Sequence, residues 1–309
     1  MRIVSLLPST TEILFAIGAG GDVVGVTFEC DYPPEARSRR IVSTSALPSK
    51  LSAAEIDTAV SAALSRGEGL YHLDRDALAD LDPDVVVTQD LCAVCAVDVS
   101  VVDDALAFLG CRAQVVTIDP HTLAEVDESI LRLGEVTGRR ASSRALVSSI
   151  QQRTARVADR VKVRPRPRVA VLEWTDPPFA PGHWIPEMVW LAGGDPVIGV
   201  AGAASRPISW DDVKAAQPDV VVVAACGYDR QATTVLARDL TSRGVLPRGF
   251  GWLRWMRTRP GRGRAPAWLT VLRSLPISST RRPTRPWPSA KTTGAPTGPP
   301  PGDVPVWQD

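Results

Sequence analysis

An internal repeat is the feature that most constrains how this chain can fold. Residues 76–87 (DALADLDPDVVV) recur 135 positions later as residues 211–222 (DDVKAAQPDVVV), and residues 20–26 recur in the same order as residues 193–200. Each copy of the first segment is typical of a helix, a Pro-Asp turn that ends it, and a buried strand. One such joint is common in α/β proteins, but two repeated segments in one order favour two similar lobes.

Short apolar runs mark the predicted strands of both lobes. They are continuous rather than alternating, as expected when helices cover both faces of a sheet. The runs lie at 3–7, 23–26, 84–88, 115–118, 168–172 and 219–224. Residues 9–12 have the form of a capping box and predict a helix over 11–19 that Gly20 and Gly21 end. This order predicts an α/β fold of two Rossmann-like lobes with mainly parallel sheets.

A helical segment separates the two halves of the repeat. Residues 122–160 contain no proline, and their apolar side chains recur near helical spacing. We expect a connecting helix over 122–165, about 40 residues long and broken near Gly138, which could span both lobes as a strut. The lobes would then be residues 1–121 and 166–243, and the rigid connector would restrict hinge motion between them.

Composition changes abruptly after residue 243. Residues 1–243 carry 24 basic and 32 acidic groups, whereas residues 244–309 carry 11 basic and two acidic groups and 12 of the 27 prolines. We interpret 244–309 as an aberrant Arg/Pro-rich tail, produced by a frameshift and disordered, which would leave the second lobe truncated. The alternative is a genuine basic, proline-rich arm that contacts polyanions. The overall net charge of +1 argues against nucleic-acid binding.

The first residues do not read as an export signal. Residues 1–8 supply about five apolar residues before Pro8 interrupts them, fewer than a signal peptide needs. No segment approaches the roughly 20 apolar residues of a membrane span. The five cysteines do not resemble a disulfide framework. As written, the chain is expected to be cytoplasmic and not to span a membrane.

Several blocks within residues 1–243 carry a family resemblance. They are RIVSLLPSTTE (2–12), ECDYP (29–33), LDPDVVVTQDLCAVCAV (81–97), EWTDPP (173–178), GHWIPEM (182–188) and AGG (192–194). In this order they resemble the cobalamin-binding branch of the periplasmic substrate-binding proteins that serve iron-siderophore, haem and cobalamin ABC importers. The resemblance implies a non-enzymatic protein without a catalytic cofactor. Cobalamin would bind between the lobes, and the location would be periplasmic or at the cell surface.

Candidate ligand-binding residues are aromatic and polar side chains at predicted strand ends and in loops. A large ligand with a flat apolar face and amide edges needs aromatic surfaces and a few polar groups. The turn that opens the first helix also offers free backbone amides. The candidates are Pro8, Ser9, Thr10, Phe28, Glu29, Cys30, Tyr32, Gln89, Cys92, Trp174, His183, Trp184, Trp210 and Tyr228. Any one of the aromatic residues could instead pack beneath a loop.

Two acidic residues are candidates for docking to the importer. In the family, an acidic residue on each lobe contacts arginines of the transmembrane subunits, and the matching positions are Asp76 and Asp211. They are also equivalent in the internal repeat, and aspartate can form such pairs with arginine. Both lie near predicted helix starts, where the helix dipole favours aspartate in any case.

The cysteines support an alternative function. Cys92 and Cys95 form a CxxC pair that could complete a zinc site with Cys30 and His183, or act as a redox dithiol. The chain would then be a cytosolic thiol-based metal-binding or redox protein. Haem or an iron-siderophore is a further possible cargo. His72 and His121 have no evident partner and are expected in surface loops. Neither a Gly-x-Ser-x-Gly elbow nor a phosphate-binding loop occurs, so no enzymatic activity is predicted.

Overall fold

The computed structural model describes residues 1–48, 51–66, 68–89, 101–102, 112–246 and the backbone of 251–254. The strands are β1 (Ile3–Ser5), β2 (Val23–Thr27), β3 (Arg40–Ser45), β4 (Tyr71–Leu73), β5 (Val85–Thr88), β6 (Gln114–Thr117), β7 (Arg168–Leu172), β8 (Trp174–Thr175), β9 (Pro178–Ala180), β10 (Asp195–Pro196), β11 (Arg206–Pro207), β12 (Val220–Val223) and β13 (Gly251–Arg254). The α-helices are α1 (Pro8–Ala16), α2 (Ala53–Ser65), α3 (Arg75–Leu81), α4 (Leu123–Val136), α5 (Arg140–Val161), α6 (Ile185–Leu191), α7 (Trp210–Ala215) and α8 (Arg230–Ser242).

The first lobe is built on a six-stranded sheet in the order β4-β3-β2-β1-β5-β6. Its strand pairs are parallel except for β3 with β4, which closes one edge in the antiparallel sense. The six predicted apolar runs all form strands, which confirms the α/β class. The sequence analysis missed β3 and β4. Only the middle of β3 is buried, because the strand lies near the sheet edge, and so it lacks a continuous apolar run.

The second lobe is built on a smaller parallel sheet in the order β10-β7-β12-β13. A separate antiparallel sheet of β11, β9 and β8 extends from it. Strand β13 lies within 244–309, the range that composition assigns to a tail. At least these four backbone positions therefore belong to the second sheet. The remaining tail prediction, residues 255–309, lies outside the described part of the chain.

The internal repeat has the same structural role in each lobe. In the first lobe, the Asp84 carboxylate accepts the backbone N–H of Arg2 at 2.7 Å, and the Arg2 side chain donates to a carbonyl at the end of α3. In the second lobe, Asp219 accepts the N–H of Arg168 at 2.8 Å, and the Arg168 side chain donates to carbonyls after α7. Each Pro-Asp joint thus ties a helix end to the neighbouring strand, as two similar lobes require.

Helix α1 begins earlier than predicted and without the predicted capping box. Its first residue is Pro8, and its N-cap, Leu7, makes no side-chain capping hydrogen bond. Proline suits the first helical position because its fixed φ matches the helix and it lacks an N–H that would have no acceptor. Thr10 turns inward, where its hydroxyl lies 2.7 Å from that of Ser5. The threonine thus serves the buried joint between β1 and α1.

The predicted connecting helix is two helices. The chain reverses at Gly138, whose φ is +68°, so the break is found where it was expected. The two parts then run antiparallel rather than in line, as shown by the 2.8 Å hydrogen bond from Gln151 on α5 to Asp127 on α4. At Gly134 a Cβ atom would lie 2.1 Å from the Ser143 hydroxyl oxygen, so the close approach of the helices requires glycine there.

Helix α5 leads from the first lobe to the second. Its 22 residues span about 33 Å. Val147 and Ile150 pack in the first-lobe core, whereas Val161 at its far end contacts Gly193 of the second lobe. Met188 on α6 also belongs to the first-lobe core, so the two lobes share a packed junction. None of the described helices is both long and apolar enough to cross a bilayer.

Candidate functional site

The carboxyl ends of the strands in the two main sheets carry the candidates Phe28, Glu29 and Trp174. In parallel α/β sheets, ligands bind beyond this edge. Phe28 and Glu29 follow β2, and Trp174 follows β7. The indole N–H of Trp174 donates to the carbonyl oxygen of Ala53 at 3.1 Å. Because Ala53 begins α2, the helix after β3, this hydrogen bond joins the carboxyl edges of the two lobes, and we call the region between these edges the cleft.

The second-lobe wall of the cleft combines aromatic rings with a carboxylate. The rings of Trp174 and Tyr228 meet edge to face with centroids 5.4 Å apart. Beside them the Ser205 hydroxyl donates to Glu173 at 2.5 Å and accepts the backbone N–H of Gly182 at 3.1 Å. Burial raises the pKa of the Tyr228 phenol, so it stays protonated and can donate a hydrogen bond.

The first-lobe wall repeats that combination. The rings of Phe28 and Tyr71 lie 6.2 Å apart, and the Tyr71 hydroxyl donates to Glu29 at 3.3 Å. Tyr71 was missed by the sequence analysis, as were Glu173 and Ser205 on the opposite wall. The signal available for Tyr71 was the apolar-polar-apolar alternation of residues 71–73, which is typical of a short strand but too brief to distinguish from chance.

Other predicted ligand-binding residues face the packed interior. Thr10 and Cys30 are buried beside β1 and β2. Trp184 packs against the first-lobe core, and Trp210 packs against the second-lobe core. Gln89 is buried at the end of β5, while Pro8, Ser9 and Tyr32 are half-buried. Cys92 lies outside the described residues. Among the described candidates, Phe28 and Glu29 contact Tyr71 in the first lobe, and Trp174 contacts Tyr228 in the second.

The environment of Cys30 opposes a role as a thiolate. Its sulfur lies 3.1 Å from the Thr11 hydroxyl, and burial raises the pKa of the thiol to about 12. The thiol is therefore protonated at neutral pH, whereas metal ligation and redox exchange use the thiolate. Within the described ranges no group of three or more His, Cys, Asp or Glu side chains could hold a metal ion. Cys95, like Cys92, lies outside them, so the zinc hypothesis stays a prediction.

Thiol alkylation tests whether the buried Cys30 is less reactive than the exposed Cys226. At pH 8 in native protein we expect iodoacetamide to modify the exposed Cys226 and to leave Cys30 intact, because a thiol of pKa about 12 is almost wholly protonated. Peptide mass spectrometry assigns the modification to each cysteine, with urea-unfolded protein as the control in which both react. Equal native labelling of the two residues would contradict the buried placement of Cys30.

A histidine pair lies at the lobe junction. The rings of His121 and His183 are 5.6 Å apart, and His183 lies 5.9 Å from Trp184. Burial lowers the pKa of His183, and the neighbouring His121 lowers it further. The expectation that His121 lacks a partner is wrong, because tertiary folding brings together residues 62 positions apart in the chain.

A separate cavity of about 350 Å³ lies where helices α4, α5 and α6 meet. Its lining is mostly apolar, with Leu123, Ile150 and Met188 among the side chains. None of the cleft aromatic residues lines it. A ligand pocket for a small molecule measures about 300–1,000 Å³, so this cavity would suit only a ligand much smaller than a macrocycle.

The two predicted docking residues occupy equivalent exposed positions. Asp76 lies in the first turn of α3, and Asp211 lies in the first turn of α7. The Asp211 side chain is 90% exposed and pairs with Lys214 at 3.1 Å. Exposed ion pairs of this kind are weak, so the pair would not prevent Asp211 from contacting another cation.

Several solved structures share this architecture. The B12-binding protein BtuF of Vibrio cholerae is 17% identical, with a TM-score of 0.59 over 88% of this chain and 92% of that one. A haem-binding protein from Pseudomonas aeruginosa is 19% identical, with a TM-score of 0.64 over 88% and 89%. The uncharacterized ABC transporter substrate-binding lipoprotein YvrC of Bacillus subtilis is 27% identical over 163 residues, which span 52% of this chain and less than half, 42%, of that relative. Residues 3–243 match the periplasmic binding protein family, and the chain belongs to that family.

Proposed function

We propose that this protein is the substrate-binding component of an ABC importer and binds a corrinoid, cobalamin, in the cleft between its lobes. The observation that carries the proposal is the pair of aromatic walls on facing carboxyl edges, with Phe28 and Tyr71 on one side and Trp174 and Tyr228 on the other. Flat rings on both walls match the broad apolar face of a macrocycle. Binding would involve no chemical change in the ligand.

Charge favours a corrinoid over haem. Each wall presents a carboxylate, Glu29 in the first lobe and Glu173 in the second. The edge of cobalamin carries amide groups, whose N–H bonds carboxylates accept well. The edge of haem carries two propionates, which these carboxylates would repel. The similar structures include binders of both ligands, and the two acids are the observation that favours a corrinoid.

The proposed partners are the transmembrane subunits of the importer. Asp76 and Asp211 project from the same repeated position of each lobe, so two equivalent arginines could contact them together. This arrangement implies an extracytoplasmic location. The similarity to a Bacillus subtilis substrate-binding lipoprotein supports that location and the transport role.

Calorimetric titration of the full chain tests the proposal. We expect saturable one-to-one binding of cyanocobalamin, and binding of haemin that is at least about tenfold weaker, equivalent to about 1.4 kcal/mol. The double variant Glu29→Gln, Glu173→Gln should reduce the difference in affinity between cyanocobalamin and haemin, because it removes the two charges that repel propionates. A ferric siderophore serves as the third ligand. Tighter binding of haemin than of cobalamin would reject the corrinoid assignment.

The thiol-based alternative has less support from the described residues. Cys30 is a buried protonated thiol, and its hydrogen bond to Thr11 holds it inside the first-lobe core. The alternative therefore depends on Cys92 and Cys95. Zinc uptake that requires Cys92 and Cys95, by protein that shows no heat with any of the three ligands above, would favour it.

A further inference from the structure

The junction between the lobes brings two imidazoles together from distant parts of the chain. His121 follows the last strand of the first sheet and precedes α4, whereas His183 lies between β9 and α6 of the second lobe. A nearby hydrogen bond holds these segments in register, because the backbone N–H of Leu123 donates to the Glu187 carboxylate at 2.7 Å. The relative position of the two histidines is thus fixed by a second contact.

The spacing of the rings suits a shared metal ion. A zinc–imidazole bond of about 2.0–2.1 Å places the ring centre about 3.2 Å from the ion. Two ring centres 5.6 Å apart then subtend an angle of about 120° at the ion, close to the tetrahedral value of about 109°. Direct ring stacking does not account for the pair, since the rings are inclined at 49°.

Two polar atoms at this place lack hydrogen-bond partners. The Nε2 atom of His183 is buried and has none, and the same holds for the indole N–H of Trp184. A buried polar atom without a partner destabilises the folded state, because it has lost its hydrogen bonds to water. Coordination of His183 would remove that destabilisation for its Nε2 atom. The position of His183 is itself unusual, with φ at +50°.

We propose that His121 and His183 form a divalent transition-metal site that links the two lobes. Imidazole nitrogen favours zinc, copper and nickel over magnesium and calcium. With two protein ligands, water completes the coordination, so the ion is exchangeable rather than structural. Glu125 accepts the backbone N–H of His121 and Glu187 accepts that of Leu123, so both serve as nearby negative charge rather than ligands. The site is independent of the proposed corrinoid binding.

The composition of the chain makes this site simple to test. There are three histidines, so His72, which is exposed on β4, is a matched control. The variants are His121→Asn, His183→Asn and His72→Asn; asparagine tolerates positive φ better than most residues with a side chain do, which protects the fold at position 183. Far-UV circular dichroism of each variant checks folding, and His121→Asn tests the site without altering the strained position.

Cobalt(II) titration of the full chain is the measurement. We expect visible d–d absorption without thiolate-to-cobalt charge transfer, and an affinity that falls at least tenfold in His121→Asn and His183→Asn but not in His72→Asn. Added zinc should raise the thermal midpoint of wild type and His72→Asn only, because a ligand of the native state stabilises it. Thiolate charge-transfer bands that the histidine variants leave unchanged would place the metal on cysteines and overturn the proposal. Absence of cobalt binding, or an equal loss of cobalt affinity in all three variants, would also overturn it.

Discussion

Replacing Leu172 with alanine is expected to lower the free energy of unfolding by about 2–5 kcal/mol, the cost of deleting a fully buried leucine side chain and leaving a cavity. Leu172 ends β7 in the middle of the second sheet and is completely buried among side chains that include Val213, Val223 and Leu240. The backbone of Leu172 pairs with Val223 of β12, so it has little freedom to collapse into the space.

Urea unfolding followed by circular dichroism measures this effect. Val163→Ala is the matched control, because Val163 is 89% exposed and its truncation should change stability by less than about 0.5 kcal/mol. A loss below about 1 kcal/mol in Leu172→Ala would mean that the second lobe is not packed around β7 as described.

Replacing Trp174 with alanine is expected to weaken cyanocobalamin binding by about 10–100-fold, equivalent to about 1.4–2.8 kcal/mol. The ring is the largest apolar surface of the second-lobe wall, and its loss would also free Tyr228 from the contact that orients it. Trp174→Phe should retain most of the affinity. It keeps an aromatic face and loses only the N–H that donates to Ala53 in the other lobe.

Trp190→Ala is the matched control for this prediction. Trp190 is 52% exposed on α6, where Arg166 stacks on its ring at 3.7 Å, and it takes no part in the cleft. Calorimetry on the four proteins compares their affinities. If Trp174→Ala binds cyanocobalamin as tightly as wild type, the ligand does not contact this wall, and the proposed site must be abandoned.

Local sequence patterns predicted the elements of this fold well. Six continuous apolar runs became strands, because burial of both sheet faces demands apolar side chains at every position. At the repeated Pro-Asp joints, Asp84 and Asp219 make equivalent hydrogen bonds with the backbone N–H groups of Arg2 and Arg168. The elements that were predicted wrongly or not at all also have local causes. Pro8 could begin α1 without a side-chain cap, and β3 lay too near an edge to carry an apolar run.

The connector shows where local reasoning stops. Apolar periodicity and Gly138 correctly predicted helix and break, but an antiparallel hairpin and a continuous strut have the same local pattern. What distinguishes them is the contact of Gly134 with Ser143, which appears only when the two helices pack together. The span between the lobes therefore falls to α5 alone.

The sequence by itself determined the α/β class and the strands that form the two main sheets. Tertiary structure alone decided which loop side chains are buried and which of them contact each other. Trp210 and Cys30 turn into the cores, while Tyr71, Ser205 and His121 gain partners from distant segments. The physical reason is that the hydrophobic periodicity of a strand or helix is set by residues close in the sequence. The direction of a loop side chain is set instead by the surface that long-range packing places beside it.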